Sequence, residues 1–424
     1  MEIKMKKQFT VAILGCGSRG ALFAELMMKM EGAYKISALC DISQAQIDKT
    51  KKLCSLTDVE SFTDIDAFFA EKRADVLAIA TPDREHVREA IRALELGYNI
   101  LLEKPISDSR EELSALLEAY EKSGKTVIVC HELRYGKAYM KCEEILRSGV
   151  LGKLYAIDAS ERVVYWHWVQ AYVRGIGASI KLGHPTILAK CSHDLDLLQN
   201  FAKSECDTVS SVGGLDFFKA ENAPSGAAER CLDCKYADTC PYSAKRIYID
   251  RWHELGEPEF VWPFNKVTLE IPNTEQAIRK GLENGEYGQC VFNCKVEKVD
   301  HQMVQMTFKN GVKASLKMVY ASEAGRRIVF YCTHGEMVFD DRTRSIEVRR
   351  FGEPVEIIDT RLLTNGSGVG HGGGDKEIIR EFYEILCGEK KASTDLKESI
   401  ECHLMGVAAE ESRARGGELA RVHL

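Results

Sequence analysis

Apolar residues occur first in short unbroken runs separated by helically spaced stretches, and later in alternation. The run Phe9-Thr10-Val11-Ala12-Ile13-Leu14 meets Gly15-Cys16-Gly17-Ser18-Arg19-Gly20 and passes into a helical pattern through Leu22, Phe23, Leu26 and Met27. A second run, Ile36 to Cys40, ends at Asp41. Helical spacing then predicts helices over 47–53, 65–71, 86–96 and 111–123. Buried strands are predicted over 76–80, 100–102 and 127–130. Alternation of this kind means right-handed crossovers and a parallel sheet, here closing a first domain over residues 1–131.

Beyond it the pattern changes. A helix over 139–147 leads to strand-like segments at 154–164, 209–215, 267–271, 291–299, 303–308, 312–320, 327–332, 336–340 and 345–350. Short turns such as Lys309-Asn310-Gly311 predict a largely antiparallel open sheet. Two helices, 376–386 and 396–413, close the chain. The fold class is therefore α/β: an N-terminal Rossmann dinucleotide-binding domain, then an α/β domain over 132–424 with a polar insertion at about 216–266.

With 424 residues, 45% hydrophobic and 29% charged, the chain has enough length for two cores. A net charge of −7 leaves no basic footprint for nucleic acid or a membrane surface. No run reaches the roughly 18 apolar residues of a membrane span. The start at Met1-Glu2-Ile3 carries no apolar leader, so a cytoplasmic protein is expected.

The glycine-rich turn gives the first chemistry. Gly15 permits the tight turn, Gly17 lets the backbone approach a pyrophosphate, and Gly20 allows close helix–strand packing. The helix start at Ser18 and Arg19 offers free N–H groups to phosphates. Asp41 stands where an acid would hold a ribose hydroxyl. NAD is favoured over NADP, because Asp41 repels a 2′-phosphate and no arginine follows it closely.

Further motifs come in order: Thr81-Pro82 with His86, Glu103-Lys104-Pro105, and Lys190-Cys191-Ser192-His193-Asp194-Leu195-Asp196. Together with the glycine turn they resemble the Gfo/Idh/MocA family of nicotinamide-dependent oxidoreductases along nearly the whole chain. The resemblance implies a Rossmann domain joined to a domain whose open sheet forms the oligomer contact, hence a homodimer or homotetramer. It implies chemistry on hydroxyls or carbonyls of sugars, inositols and their derivatives. Thr81, Pro82, His86 and Glu103 fall at cofactor positions. Lys104 matches the lysine beside the nicotinamide and the reacting carbon, where a proton leaves as hydride departs. His193 matches the family's histidine, a natural proton carrier. The acid expected four residues earlier is Ala189, so Lys190 is the candidate for the missing polar group, with Asp194 or Asp196 to orient the ring.

Candidates for a carbohydrate cleft are Arg134, Trp166, His167, Arg174 and His371. Trp166 and His167 offer flat faces and an imidazole, although tryptophans there fit a core equally well. Arg134 follows the last Rossmann strand, and His371 lies in the glycine-rich stretch 370–375.

Fifteen cysteines is a high count, and most sit singly in apolar patterns as small hydrophobes. Cys231, Cys234 and Cys240 differ. Their C-x2-C-x5-C spacing suits a structural zinc if a fourth thiolate joins. Cys290 is preferred over Cys294 for that place, both being read on one face of a later strand. Three reduced loop cysteines are the plain alternative, and an iron–sulfur cluster has less support at this level.

The sequence thus leads to an oxidoreductase moving hydride between NAD and a secondary hydroxyl of a sugar or polyol. The same parts would serve an NAD-dependent glycoside hydrolase working by transient oxidation and elimination, or a dinucleotide-binding sensor without turnover.

Overall fold

A computed structural model describes residues 7–363 and 371–424, without the side chains of Ile176 and His371. A six-stranded parallel sheet contains Phe9–Leu14, Tyr34–Cys40, Glu60–Phe62, Val76–Ile79, Asn99–Leu102 and Val127–Val129. In spatial order these are the third, second, first, fourth, fifth and sixth strands. The order reverses beside Phe9–Leu14, where open α/β sheets bind ligands at the carboxyl ends of their strands. Val76–Ile79 is buried at every position, as expected for a strand with both faces covered.

Nine strands form the second sheet. At its centre Leu154–Val164 lies between Gly325–Cys332, antiparallel to it, and Lys313–Ser322, parallel to it. The other pairings are antiparallel. Alternation in His301–Phe308 sends Gln302, Val304, Met306 and Phe308 inward and leaves Met303 and Gln305 exposed. The helices Ser192–Ala202 and Leu396–Ala414 cover the inner face.

Two expectations change. Segments 267–271 and 291–299 form no strand; the chain is tied there by turns such as Asn293 N–H to the Cys290 carbonyl, 3.0 Å. Apolar content alone does not separate a strand from a loop packed on a core. The helix Gly374–Leu386 returns to the first sheet, burying Ile378, Ile379, Phe382 and Tyr383 against the cluster that contains Val11 and Phe23. No helix among the described residues is long and apolar enough to cross a membrane.

Candidate active site

Backbone geometry at the glycine turn divides the labour among its residues. Gly15 has φ +87°, and a Cβ there would meet the Ala80 carbonyl at 2.6 Å. A Cβ on Gly20 would lie 1.8 Å from the Gly15 oxygen. At Gly17 it would meet no protein atom within 4 Å, so the turn is open where a pyrophosphate would approach the start of helix Ser18–Met28. Asp41 accepts from the Cys16 N–H at 2.7 Å and the Ser43 N–H at 2.8 Å. Two carboxylate oxygens offer about four lone-pair sites, which leaves capacity for ribose hydroxyls. The residues present fit a dinucleotide.

The Arg19 side chain is engaged by carboxylates. Its guanidinium pairs with Glu103, Glu132 and, at 2.7 Å, Asp375. Burial opposes its charge, yet Glu103 first, then Glu132 and Asp375, hold it well above the ordinary arginine value. The side chain thus ties the first strand–helix turn to the later motifs. His86 is a second tie, its ring nitrogens meeting the Pro105 carbonyl at 2.7 Å and the Thr81 carbonyl at 3.0 Å. Both residues border a cavity of about 230 Å³ with Thr81, Asp83, Glu103, Lys104 and Glu132.

Lys104 occupies the wall between that cavity and another of about 200 Å³, bordered by Pro82, Asp83, Tyr172, Gly183 and Lys298. Its ammonium donates to the Ala189 carbonyl at 3.1 Å. A backbone oxygen therefore serves as acceptor at the position where the resemblance expects an acid side chain. His193 stands one layer back, its Nε2 3.7 Å from Glu132, whose side chain borders the first cavity. His131 lies behind it, the two rings 6.1 Å apart.

Several expected site residues are engaged elsewhere. Lys190 meets Glu161 at 3.3 Å, in a buried group where Arg326 also contacts Glu161 and Asp194. Arg134 bonds Asp196 and Glu398, so Asp196 orients an arginine and not the His193 ring. Breaking such a buried pair leaves a stranded charge. Arg134→Ala is accordingly expected to cost about 3–5 kcal/mol of stability in denaturant unfolding, with KM for substrate unchanged in the protein that still folds. Arg174 is 1% exposed and is held by the Gln289 and Tyr242 carbonyls and the Cys231 thiol, out of reach of any substrate. Trp166 is covered by Arg251, 4.2 Å above its ring, and by Trp262. The His167 ring lies near-parallel to that of Tyr172, centroids 6.4 Å apart, and lines neither cavity. The side chain of His371 lies outside the described residues.

Asp83, Tyr172 and Lys298 are the functional candidates that the sequence did not reveal. Asp83 directly follows Thr81-Pro82 at the end of a parallel strand, which was a usable signal. Lys298 gave none: it sits in an irregular segment and becomes 3% exposed only through packing. Burial pushes its ammonium down to about 8, with Asp83 opposing the shift.

Among the described residues, two sets of three potential ligand atoms lie within 4.8 Å of one another. In Glu103, Cys130 and Glu132, the Arg19 guanidinium already neutralises the carboxylates. In His131, Cys402 and His403, the latter accepts from the Ile106 N–H at 2.9 Å and meets the Ser399 carbonyl with its other nitrogen, so its ring is spent on the backbone. The insertion cysteines form no such set, which is wider than one zinc would hold them.

Fold and turn define the class: a dinucleotide-binding Rossmann domain carrying a second α/β unit, with a lysine on the wall between two cavities. Residues 9–131 match the family model described as oxidoreductase family, NAD-binding Rossmann fold. The chain is 21% identical over 403 residues to the YteT protein of Bacillus subtilis, covering 89% of this chain and 91% of that one. It is 29% identical over 269 residues to the 2,7-anhydro-N-acetylneuraminate hydratase of Mediterraneibacter gnavus, covering 63% and 66%. The solved structure of levoglucosan dehydrogenase with NADH and levoglucosan is similar in fold, with TM-score 0.71, 15% identity and coverage of 99% and 100%.

Proposed function

We propose that this chain is an NAD-dependent oxidoreductase acting on a secondary hydroxyl of a sugar, a polyol or a derivative. The observation that carries the reading is Lys104 lining both a dinucleotide-side cavity and a second cavity that holds Asp83, Tyr172 and Lys298. The dinucleotide, when bound, supplies the hydride acceptor. Gly17 and the helix start bind its phosphates, Asp41 its ribose, and Glu103 fixes the Lys104 backbone by accepting its N–H at 3.0 Å. Lys104 handles the hydroxyl proton, with Glu132 and His193 as the route inward. Asp83 and Lys298 hold neighbouring hydroxyls, and Tyr172 offers a face to the C–H side of the ring.

The similarity to a protein named as a hydratase supports a second reading, in which transient oxidation serves elimination and water addition. One experiment separates the two. Purified protein is given NAD with free sugars, polyols and chromogenic glycosides, and NADH and released aglycone are followed together. Net NADH supports the dehydrogenase; aglycone release without net NADH replaces it with the redox glycosidase. Dinucleotide binding with neither signal across the panel would favour a sensor.

Lys298 gives a pH test. Its ammonium is present below about pH 8 and lost above it, the direction set by burial. If it donates to a substrate hydroxyl, KM is flat below pH 8 and rises several-fold by pH 9.5. Lys298→Met should show a raised KM with no such break; an unchanged profile would remove Lys298 from the site.

The reading extends to a homodimer or homotetramer through the second sheet. Val212 and Met303 pair across two strands there and remain about half exposed. Sedimentation velocity would test it, a monomer being the contrary result.

A further inference from the structure

The insertion's cysteines do not belong to the dinucleotide cleft. Cys231, Cys234, Cys240 and Cys290 line one small cavity of about 20 Å³, closed by Pro224, Ala227, Val291 and Phe292. That is room for the centre of a water-sized body; the whole atom-free space out to the lining, its open side included, is about 350 Å³. Four thiolates on one zinc, each about 2.3 Å from the metal, would sit about 3.8 Å apart and leave no such space. No three of these thiols come within 4.8 Å of one another. Cys294 does not line the cavity, and its thiol donates to the Cys290 carbonyl at 3.3 Å.

Charge points the same way. Arg174 is buried, and it donates to two carbonyls and to the Cys231 sulfur at 3.3 Å, with the Tyr248 phenol beside it, none of them a carboxylate. A buried guanidinium calls for an anion, and thiolates at this site would supply it. The apolar lining would keep water from the ligated core.

We propose that Cys231, Cys234, Cys240 and Cys290 ligate a [4Fe–4S] cluster that pins the insertion onto the second domain. An inorganic core of iron and sulfide fills the space between four widely set thiolates, a role a single ion cannot perform. Transfer of a preformed cluster from four donor thiolates breaks four iron–sulfur bonds and forms four here, the four S–H protons passing to the released donor thiolates, with no change in oxidation state. Arg174 then donates a charge-assisted hydrogen bond to one ligand sulfur and positions it.

The test is metal and sulfide analysis of the full chain, purified under nitrogen and reconstituted with equal parts of ferrous and ferric iron and with sulfide. About four iron and four acid-labile sulfide per chain are expected, with the broad visible absorption of a cluster. Cys240→Ser and Cys290→Ser should lose most of that iron and absorption, whereas Cys294→Ser should keep them. NADH binding, read by fluorescence, reports separately that each variant is folded. One zinc per chain without sulfide, or no metal in the wild-type chain after reconstitution, overturns the cluster. Equal loss in Cys294→Ser overturns the ligand assignment. Should the serine variants fail to fold, the wild-type iron and sulfide count decides alone.

Discussion

Lys104→Ala is expected to lower kcat/KM by about 10²–10⁴-fold while leaving the dissociation constant for NADH within a few-fold of wild type. The reason is position. Lys104 is carried on the segment after strand Asn99–Leu102, with its ammonium fixed by the Ala189 carbonyl. It lines both cavities together with Asp83, and of the two it is the one that follows the Glu103 carboxylate at the end of a parallel strand. Lys104→Arg keeps the charge but does not become deprotonated near neutral pH and takes up no proton, so it should be nearly as slow as alanine. Rate recovery with added small amines in Lys104→Ala would strengthen the assignment. Wild-type turnover in both variants would remove Lys104 from the chemistry.

The second large effect is a contrast between two glycines three residues apart. Gly20→Ala places a methyl 1.8 Å from the Gly15 carbonyl oxygen, against backbone that has no rotamer to give. It should cost about 1–3 kcal/mol, seen as a lower Tm, and abolish NADH binding by displacing the turn. Gly17→Ala meets nothing within 4 Å, so its Tm should match wild type. Its methyl projects into the space meant for the pyrophosphate, and NADH affinity should fall at least tenfold. Calorimetry with and without NADH separates the two: a large Tm loss in Gly17→Ala, or normal NADH binding in Gly20→Ala, would contradict this division of roles.

Much of this was written in local sequence. The glycine turn, Asp41 and the alternation of buried strand and helix fix the first domain because each depends on near neighbours: a tight turn, a period and a helix start. The alternating strands from His301 to Arg350 were legible for the same reason. The residues beside Lys104 were partly legible, since Thr81-Pro82 and Glu103-Lys104-Pro105 end parallel strands.

What the tertiary structure decided are partnerships between distant charges. Arg134 and Arg174 carry side chains suited to a substrate, yet 62 residues separate Arg134 from Asp196 and 57 separate Arg174 from Cys231, and those pairings consume them. Lys298 became a site candidate because packing buried it beside Asp83. The apolar run at 291–299 looked like a strand, but its apolar side chains are satisfied in a loop packed on the core, where Cys290 joins the insertion. Periodicity specifies which face of an element is apolar; only the packed chain determines which charge meets which, because that depends on contacts no local pattern encodes.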